Sequence, residues 1–175
     1  MFEVLIVVAF IIAGIVLYAA GKPSEFQIQR SLAIKASPEK LFALIADLKQ
    51  AQTWSAWEKV DPGMQRSYSE QTGGVGAHYT WKGNREVGEG SITVVETIPF
   101  HKVGWQLDFI KPFKGQSRVE FNLTPSGEDT VVTHTMRGSN SLIPKIMCIL
   151  FFNQDKMIGG KFEEGLANLK KLAEP

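Results

Sequence analysis

The chain has 175 residues, with 19 Lys and Arg against 18 Asp and Glu, so its formal net charge is +1. A nucleic-acid-binding domain usually carries a basic excess, and this balance argues against that class of partner. The single cysteine excludes an internal disulfide and a multi-cysteine metal site, and the three histidines show no metal-ligand spacing. We therefore predict one domain with a short additional segment, without nucleic acid, metal or other cofactor.

An uncharged apolar stretch opens the chain. Residues 4–20 read VLIVVAFIIAGIVLYAA, which is the length of a short membrane span. A cleaved signal peptide is an alternative, with small residues at 19–21, but the basic residues that usually precede the apolar run are missing. A buried core helix is a third interpretation, which the lack of any polar face disfavours. We predict an anchor and linker over residues 1–24, with one transmembrane helix, and a domain over residues 25–175.

The charges beside this stretch predict its orientation. No Lys or Arg precedes it, whereas Lys22, Arg30, Lys35 and Lys40 follow within about 20 residues of its end. Basic residues near a membrane span tend to remain in the cytoplasm. We therefore expect the domain to be cytoplasmic, and the short linker at 21–24 to hold it close to the bilayer.

The domain opens with a strand and two short helices. Residues 26–35 alternate between apolar and polar side chains, as in a strand with one buried face, and we predict a small irregularity around Arg30. The stretch SPE at 37–39 is typical of a helix start, with Ser as the N-cap and Pro in the first helical position. A second short helix or turn is expected over residues 51–57.

About six more strands are predicted between residues 63 and 138. Turns rich in Gly, Pro, Asn and Asp recur at short spacing, as an antiparallel meander requires. Alternation along each strand assigns one set of side chains to the interior. These are Ala77, Tyr79 and Trp81, then Val103, Trp105, Leu107 and Phe109, then Val119, Phe121 and Leu123, and finally Val132, His134 and Met136.

A long helix is predicted at the C-terminus, over residues 155–172. Its apolar residues recur at steps of three and four and form one stripe: Met157, Ile158, Phe162, Leu166, Leu169 and Leu172. A helix with one apolar stripe needs a surface to cover it. We predict an α+β fold, in which an antiparallel sheet of about seven strands wraps around this helix. Gly159 and Gly160 indicate a hinge or a close approach of the backbone, since each Gly costs about 1 kcal/mol in a helix relative to Ala.

The segment before that helix has two interpretations. Residues 142–152 read LIPKIMCILFF, which is apolar on nearly every side. It is either the start of a helix that packs under the sheet, or an apolar flap beside a cavity opening that touches the membrane.

Several stretches carry a family resemblance. They are Ser37-Pro38-Glu39, Trp54 with Trp57, Gly76-Ala77 with Tyr79 and Trp81, Gly83-Asn84, Gly88-Glu89-Gly90, Pro112-Phe113, and the final helix with Gly159, Phe162, Glu163, Gly165 and Leu166. Together they resemble the polyketide cyclase/dehydrase and lipid-transport superfamily, which is related to START domains and to the major birch-pollen allergen. The resemblance covers residues 26–172 and implies a helix-grip fold with a cavity between sheet and helix. The superfamily spans lipid carriers, cyclases, chaperone activators and quinone-binding proteins, so the resemblance leaves the activity open.

The inward-facing side chains would line the cavity that this resemblance implies, with ordinary core packing as the alternative for each. The candidate ligand-binding residues are Tyr79, Trp81, Trp105, Phe109, Phe121, His134, Met136, Met157 and Phe162. His134 stands where similar sequences usually have a large aromatic residue. It is expected to donate a hydrogen bond to a ligand oxygen, to act as a general acid or base oriented by Glu96 or Glu120, or to be a buried histidine bonded to its neighbours.

Three functions follow from these candidates. The first is a membrane-anchored module that binds or transfers an apolar small molecule, such as a lipid, a quinone or a polyketide-like compound. The second is an enzyme of the cyclase/dehydrase kind that uses His134 for proton transfer. The third is a regulatory module whose outer surface binds a protein partner.

Overall fold

The computed structural model describes residues 1–175 as one seven-stranded antiparallel sheet with five α-helices and a short 3₁₀ helix. The helices are α1 (Phe2–Gly21), α2 (Pro38–Ala46), α3 (Leu48–Trp54), α4 (Leu142–Leu150) and α5 (Gln154–Ala173), and the 3₁₀ helix is Ala56–Lys59. The strands are β1 (Glu25–Ile34), β2 (Gln65–Tyr68), β3 (His78–Lys82), β4 (Glu89–Ile98), β5 (Lys102–Lys111), β6 (Gly115–Ser126) and β7 (Asp129–Ser139). Their order in the sheet is β1-β7-β6-β5-β4-β3-β2. The predicted helix-grip fold is confirmed.

Polar side chains fix where three of the helices begin. Ser37, Asp47 and Asn153 stand at the N-caps of α2, α3 and α5, and each side chain accepts a hydrogen bond from a backbone N–H in the first turn. Pro38 occupies the first helical position of α2, as the sequence predicts.

The long helix α5 packs against β1, α3 and the 3₁₀ helix. Phe162, Leu166 and Leu169 are buried on its inner face, and they belong to one hydrophobic core cluster of 24 residues. That cluster draws on every strand except β2 and on α2, α3 and α5, but on no residue of α1. The domain therefore carries its own core.

Strand β1 corrects one prediction. Its pairing with β7 is continuous from Glu25 opposite Ser139 to Ile34 opposite Thr130, so there is no irregularity at Arg30. Arg30 lies on the same face as its apolar neighbours Ile28 and Leu32, and this face meets α5. A charged residue occupies an inward position there because α5 supplies its partners.

Helix α1 joins one end of the sheet, which we call the anchor end. At this end β1 begins at Glu25, β7 ends at Ser139, and a hairpin at residues 111–115 joins β5 to β6. Helix α1 is 20 residues long and apolar enough to cross a membrane, a property that signal sequences share. Ala19 is its one buried residue.

Helix α4 lies beside α1 and not under the sheet. It packs against α1, and none of its own residues is buried. The interpretation of residues 142–152 as the start of a helix packed under the sheet is therefore wrong. Gln154 opens α5 as a separate helix, with Phe151 and Phe152 exposed between the two.

Candidate ligand site between the sheet and the long helix

A column of stacked rings fills the space between the centre of the sheet and α5. His134 on β7 lies between Phe121 on β6 and Phe162 on α5, with ring centroids 4.2 and 3.6 Å from its own. Trp105 on β5 meets the edge of Phe121 at 4.7 Å, and Trp54 on α3 stacks on Trp105 at 6.4 Å. Alternation along the three strands is the reason that these rings share one face.

His134 is buried and makes no hydrogen bond through Nδ1. Burial lowers the pKa of this imidazole from 6.5 to about 3, because no nearby charge offsets the loss of hydration. The ring is therefore neutral at physiological pH. A polar atom without a partner in an apolar interior costs about 1–3 kcal/mol, so Nδ1 stands out from the surrounding core.

The carboxylates that the sequence suggests for orienting His134 lie on the other side of the sheet. Glu96 and Glu120 both pair with Lys102, through distances of 3.1 and 2.8 Å, and Glu96 also pairs with Arg118. These ion pairs cover the outer face of β4, β5 and β6. The expectation that Glu96 or Glu120 could orient His134 is therefore wrong, because alternation places Glu120 and Phe121 on opposite faces.

Trp105 supplies a second polar atom without a partner. Its indole Nε1 is buried and makes no hydrogen bond. The indoles of Trp54 and Trp81 differ, since they donate to the backbone oxygens of Leu44 and Val87 at 2.9 and 3.1 Å. The rings of Trp105 and His134 both contact Phe121, so the two unpartnered nitrogens belong to one neighbourhood of the interior.

A second group of rings lines the sheet toward β2. Tyr79 stacks between Tyr68 and Trp81, and the Trp81 ring meets the edge of Phe109 at 6.0 Å. The Tyr79 hydroxyl donates to Oε1 of Glu58 at 3.0 Å. Burial is the main cause that raises the pKa of Tyr79, and it raises the pKa of Tyr68 to about 12. Both phenols are therefore neutral donors over the physiological range.

Glu58 joins this group to an arginine and was not predicted from the sequence. Its Oε2 accepts from Nε of Arg66 at 2.7 Å, and both side chains are largely buried. Arg66 also donates to the backbone oxygen of Met64. The available signal was the alternation of Arg66 with Tyr68 on one face of β2, but a four-residue strand gives little periodicity to read.

The remaining predicted residues fall in different environments. Met136 is buried, whereas Phe109 is half-buried. Met157 is 51% exposed and does not face the sheet, contrary to the prediction. At 3.6 residues per turn it lies about 140° around α5 from Phe162, which places it on the opposite side of the helix.

Burial varies along the inner face of the sheet. Val94, Val103 and Val132, away from the anchor end, are fully buried. Some inner-face residues toward the anchor end are only partly buried, namely Phe26, Ile92, Leu107, Phe109 and Ile158, whereas Ile28 and Met136 at the same end are buried. Two hollows of about 610 and 510 Å³ lie elsewhere, and neither is lined by any of the nine predicted ligand-binding residues.

The sequence of the domain matches a known protein family. The sequence profile described as "Polyketide cyclase / dehydrase and lipid transport" matches residues 25–174. No curated protein sequence matches the chain.

Several solved structures share the fold. Protein CV1439 from Chromobacterium violaceum superposes with a TM-score of 0.59 at 17% identity, over 85% of this chain and 97% of that one. The Aha1 dimer from Colwellia psychrerythraea superposes with a TM-score of 0.58 at 22% identity, over 85% of this chain and 96% of that one. The major latex-like protein 151 from Panax ginseng superposes with a TM-score of 0.61 at 11% identity, over 87% of this chain and 99% of that one. At these identities the likeness concerns the fold, and it agrees with the profile match over the whole domain. The chain belongs to the polyketide cyclase/dehydrase and lipid transport family.

Proposed function

We propose that this protein is a membrane-anchored module that holds a neutral, oxygen-bearing apolar molecule between its sheet and α5. The family and the fold suggest a domain that binds hydrophobic molecules. The observation that carries the proposal is the pair of buried nitrogens without partners, Nε1 of Trp105 and Nδ1 of His134.

The chemistry of these two nitrogens describes the ligand. An indole N–H only donates, whereas Nδ1 of a neutral imidazole donates or accepts according to its tautomer. A carbonyl or hydroxyl oxygen is a suitable partner for an atom of either kind and removes a cost of about 1–3 kcal/mol for each atom that is paired. A carboxylate or phosphate suits the site less well, since Arg30, the inward-facing cation of β1, already pairs with Asp155 and Glu163.

The partly buried residues toward the anchor end mark the route by which such a molecule enters. The ring column is closed in this structure, with Phe162 directly on His134. Ligand binding therefore requires the first turns of α5 to move away from the sheet. Ile92 and Leu107 are only partly buried on the inner face, so the opening is expected beside them.

Helix α1 supplies the membrane part of the proposal. A tether at the anchor end keeps the opening near the pool of membrane-dissolved molecules, which raises the rate of encounter. We expect the domain on the cytoplasmic side, as the basic residues after α1 indicate.

The enzymatic alternative has less support. A general acid or base works best with a pKa near the operating pH, and the pKa of His134 is about 3. His134 also lacks a carboxylate partner, since Glu96 and Glu120 lie on the outer face of the sheet.

Native mass spectrometry of the full chain tests the proposal. The protein is purified in detergent and released from the micelle in the instrument, and a bound molecule appears as a stoichiometric mass increase. We expect such an adduct, and fragmentation should identify it as a neutral molecule with a carbonyl or hydroxyl group.

The matched control is the double variant Trp105→Phe/His134→Phe, which keeps aromatic rings at both positions but removes both polar atoms. It should fold, as judged by circular dichroism, and lose most of the adduct. A wild-type protein without an adduct, or an adduct of equal occupancy in the variant, would contradict the proposed site. Capture of a protein in place of a small molecule would favour the partner-binding alternative.

A further inference from the structure

Exposed apolar side chains gather at the anchor end of the domain. After α1, fourteen large apolar residues are exposed, and nine of them lie at this end. Ile110 and Phe113 are at the hairpin between β5 and β6, six belong to residues 142–152, and the last is Met157 at the start of α5. A monomeric soluble domain rarely leaves so many apolar side chains together in water.

Helix α4 is the centre of this surface. None of its residues is buried, and Lys145 is its one charged residue. Lys145 donates through Nζ to the backbone oxygen of Lys22 at 2.8 Å, just beyond the end of α1. Phe151 and Phe152, which follow α4, are 68% and 49% exposed.

The position of α4 beside α1 indicates that lipid covers the exposed side of α4. Helix α4 packs against α1, where Ala19 is buried, while the rest of α1 is left for the bilayer. The apolar surface of α1 therefore lies next to that of α4, with Lys22 and Lys145 at the junction. Lys114 stands beside Phe113 at the hairpin, so that a basic group borders the apolar ones, while Lys111 beside Ile110 pairs with Glu89 at 2.9 Å. This arrangement is typical of segments that lie at a lipid headgroup boundary, where lysine side chains extend toward the phosphates.

We propose that residues 142–152 and the β5–β6 hairpin lie in the interface of the same bilayer that α1 spans. The inference rests on the proposed membrane anchor and adds a second contact that fixes the orientation of the domain. The partly buried residues Ile92 and Leu107 then lie at the end of the interior that faces the lipid, and an apolar molecule passes between bilayer and interior without crossing water.

The single cysteine of the chain provides a direct test, because Cys148 lies in α4. The full-length protein is labelled there with a nitroxide and reconstituted into vesicles of phosphatidylcholine and phosphatidylglycerol. Collisions of the label with oxygen, which concentrates in lipid, are compared with collisions with a water-soluble nickel complex. We expect oxygen collisions to dominate at Cys148.

Two cysteine variants in a Cys148→Ser background complete the experiment. Phe151→Cys carries the label at a position that is exposed in the structure, so labelling does not disturb packing, and it should give the same lipid signature. Ser126→Cys, on the hairpin at the far end of the sheet, should give the reverse order, with nickel collisions dominating.

Two outcomes would overturn the inference. Labels at 148 and 151 that are as accessible to nickel as the label at 126 would place α4 in water. Labels protected from both reagents would mean that protein covers this surface. Flotation of the same vesicles after an alkaline wash reports separately on α1, and the adduct in native mass spectrometry reports separately on the ligand site.

Discussion

Gly159 on α5 lies directly against the guanidinium of Arg30 on β1, so closely that a methyl group at this glycine would overlap the arginine nitrogens. Arg30 reaches past the helix backbone to Asp155 at 3.0 Å and Glu163 at 2.5 Å. These hydrogen bonds hold the pKa of Arg30 above its ordinary value and that of Asp155 below it. The first turns of α5 are thus fastened to β1 by one side chain, in the part of the helix that the proposed ligand entry would displace.

This contact predicts unequal effects on stability for substitutions at two adjacent glycines. Gly160→Ala meets open space and should stabilise the domain by up to about 1 kcal/mol through helix propensity. Gly159→Ala must displace Arg30 from its two carboxylates, so it should gain less than Gly160→Ala or lose stability. Guanidinium unfolding of the two variants gives the comparison, and hydrogen exchange over residues 155–163 should quicken only in Gly159→Ala. Equal gains from both substitutions would show that the arginine contact is unimportant.

His134→Phe should raise the free energy of unfolding at neutral pH by about 1–3 kcal/mol when no ligand is bound. The substitution keeps the ring stack and removes a buried polar atom that has no partner. Guanidinium unfolding of full-length protein in detergent, followed by tryptophan fluorescence, measures the change. A loss of stability would mean that His134 has an unseen partner in the folded state.

His134→Phe should also change how the free energy of unfolding depends on pH. Between pH 6.5 and about 3 the unfolded chain binds a proton at His134 that the folded domain does not, so the wild type loses stability as the pH falls through this window. The advantage of His134→Phe should therefore grow by about 1.4 kcal/mol for each pH unit below 6.5. Unfolding titrations at a series of pH values test this, and parallel profiles for the two proteins would contradict the low pKa.

Glu58→Gln should destabilise the domain by about 1–3 kcal/mol, because the largely buried Arg66 loses its ion pair and Tyr79 keeps only a neutral acceptor. Glu128→Gln is the matched control. Its partner Lys35 and the carboxylate itself are both mostly exposed, and such pairs contribute about 0–1 kcal/mol. Thermal unfolding measures the loss of stability in each variant. Equal losses would mean that the Glu58 group is well hydrated.

A chain that begins at residue 25 should keep its fold. The 24-residue core contains no residue of α1, so removal of the anchor leaves the core intact. The same truncation uncovers α4, and we expect the fragment to associate at high concentration unless detergent or vesicles are present. Circular dichroism checks the fold of the fragment, and analytical ultracentrifugation checks its association. An unfolded fragment would contradict the domain boundary.

Local patterns in the sequence were sufficient for most of the fold. The period of two along β3 to β7 assigned Tyr79, Trp105 and Phe121 to the inner face, because alternate side chains of a strand point to opposite sides. Ser37 marked the start of α2 for an equally local reason, since an N-cap bonds to the backbone within its own first turn. The same alternation directs the Glu120 carboxylate outward, because its neighbour Phe121 faces inward, so Glu120 does not meet His134.

Other features depended on which elements meet in space. Arg30 fits an inward position only because α5 places Asp155 and Glu163 opposite it, more than a hundred residues away in the chain. Met157 is exposed because of the way α5 is rotated about its axis relative to the sheet. A stripe of apolar residues defines that rotation only approximately.

The sequence by itself determined the strands, the helices of the domain and an apolar N-terminal helix, because hydrophobic periodicity, capping and composition act over a few residues, and its resemblance to a known superfamily indicated the helix-grip fold and the family. Only the tertiary structure decided that α4 lies beside α1, and that Nε1 of Trp105 and Nδ1 of His134 lack partners. Whether a buried polar atom is satisfied depends on every element packed around it, and that information exists only once the chain has folded.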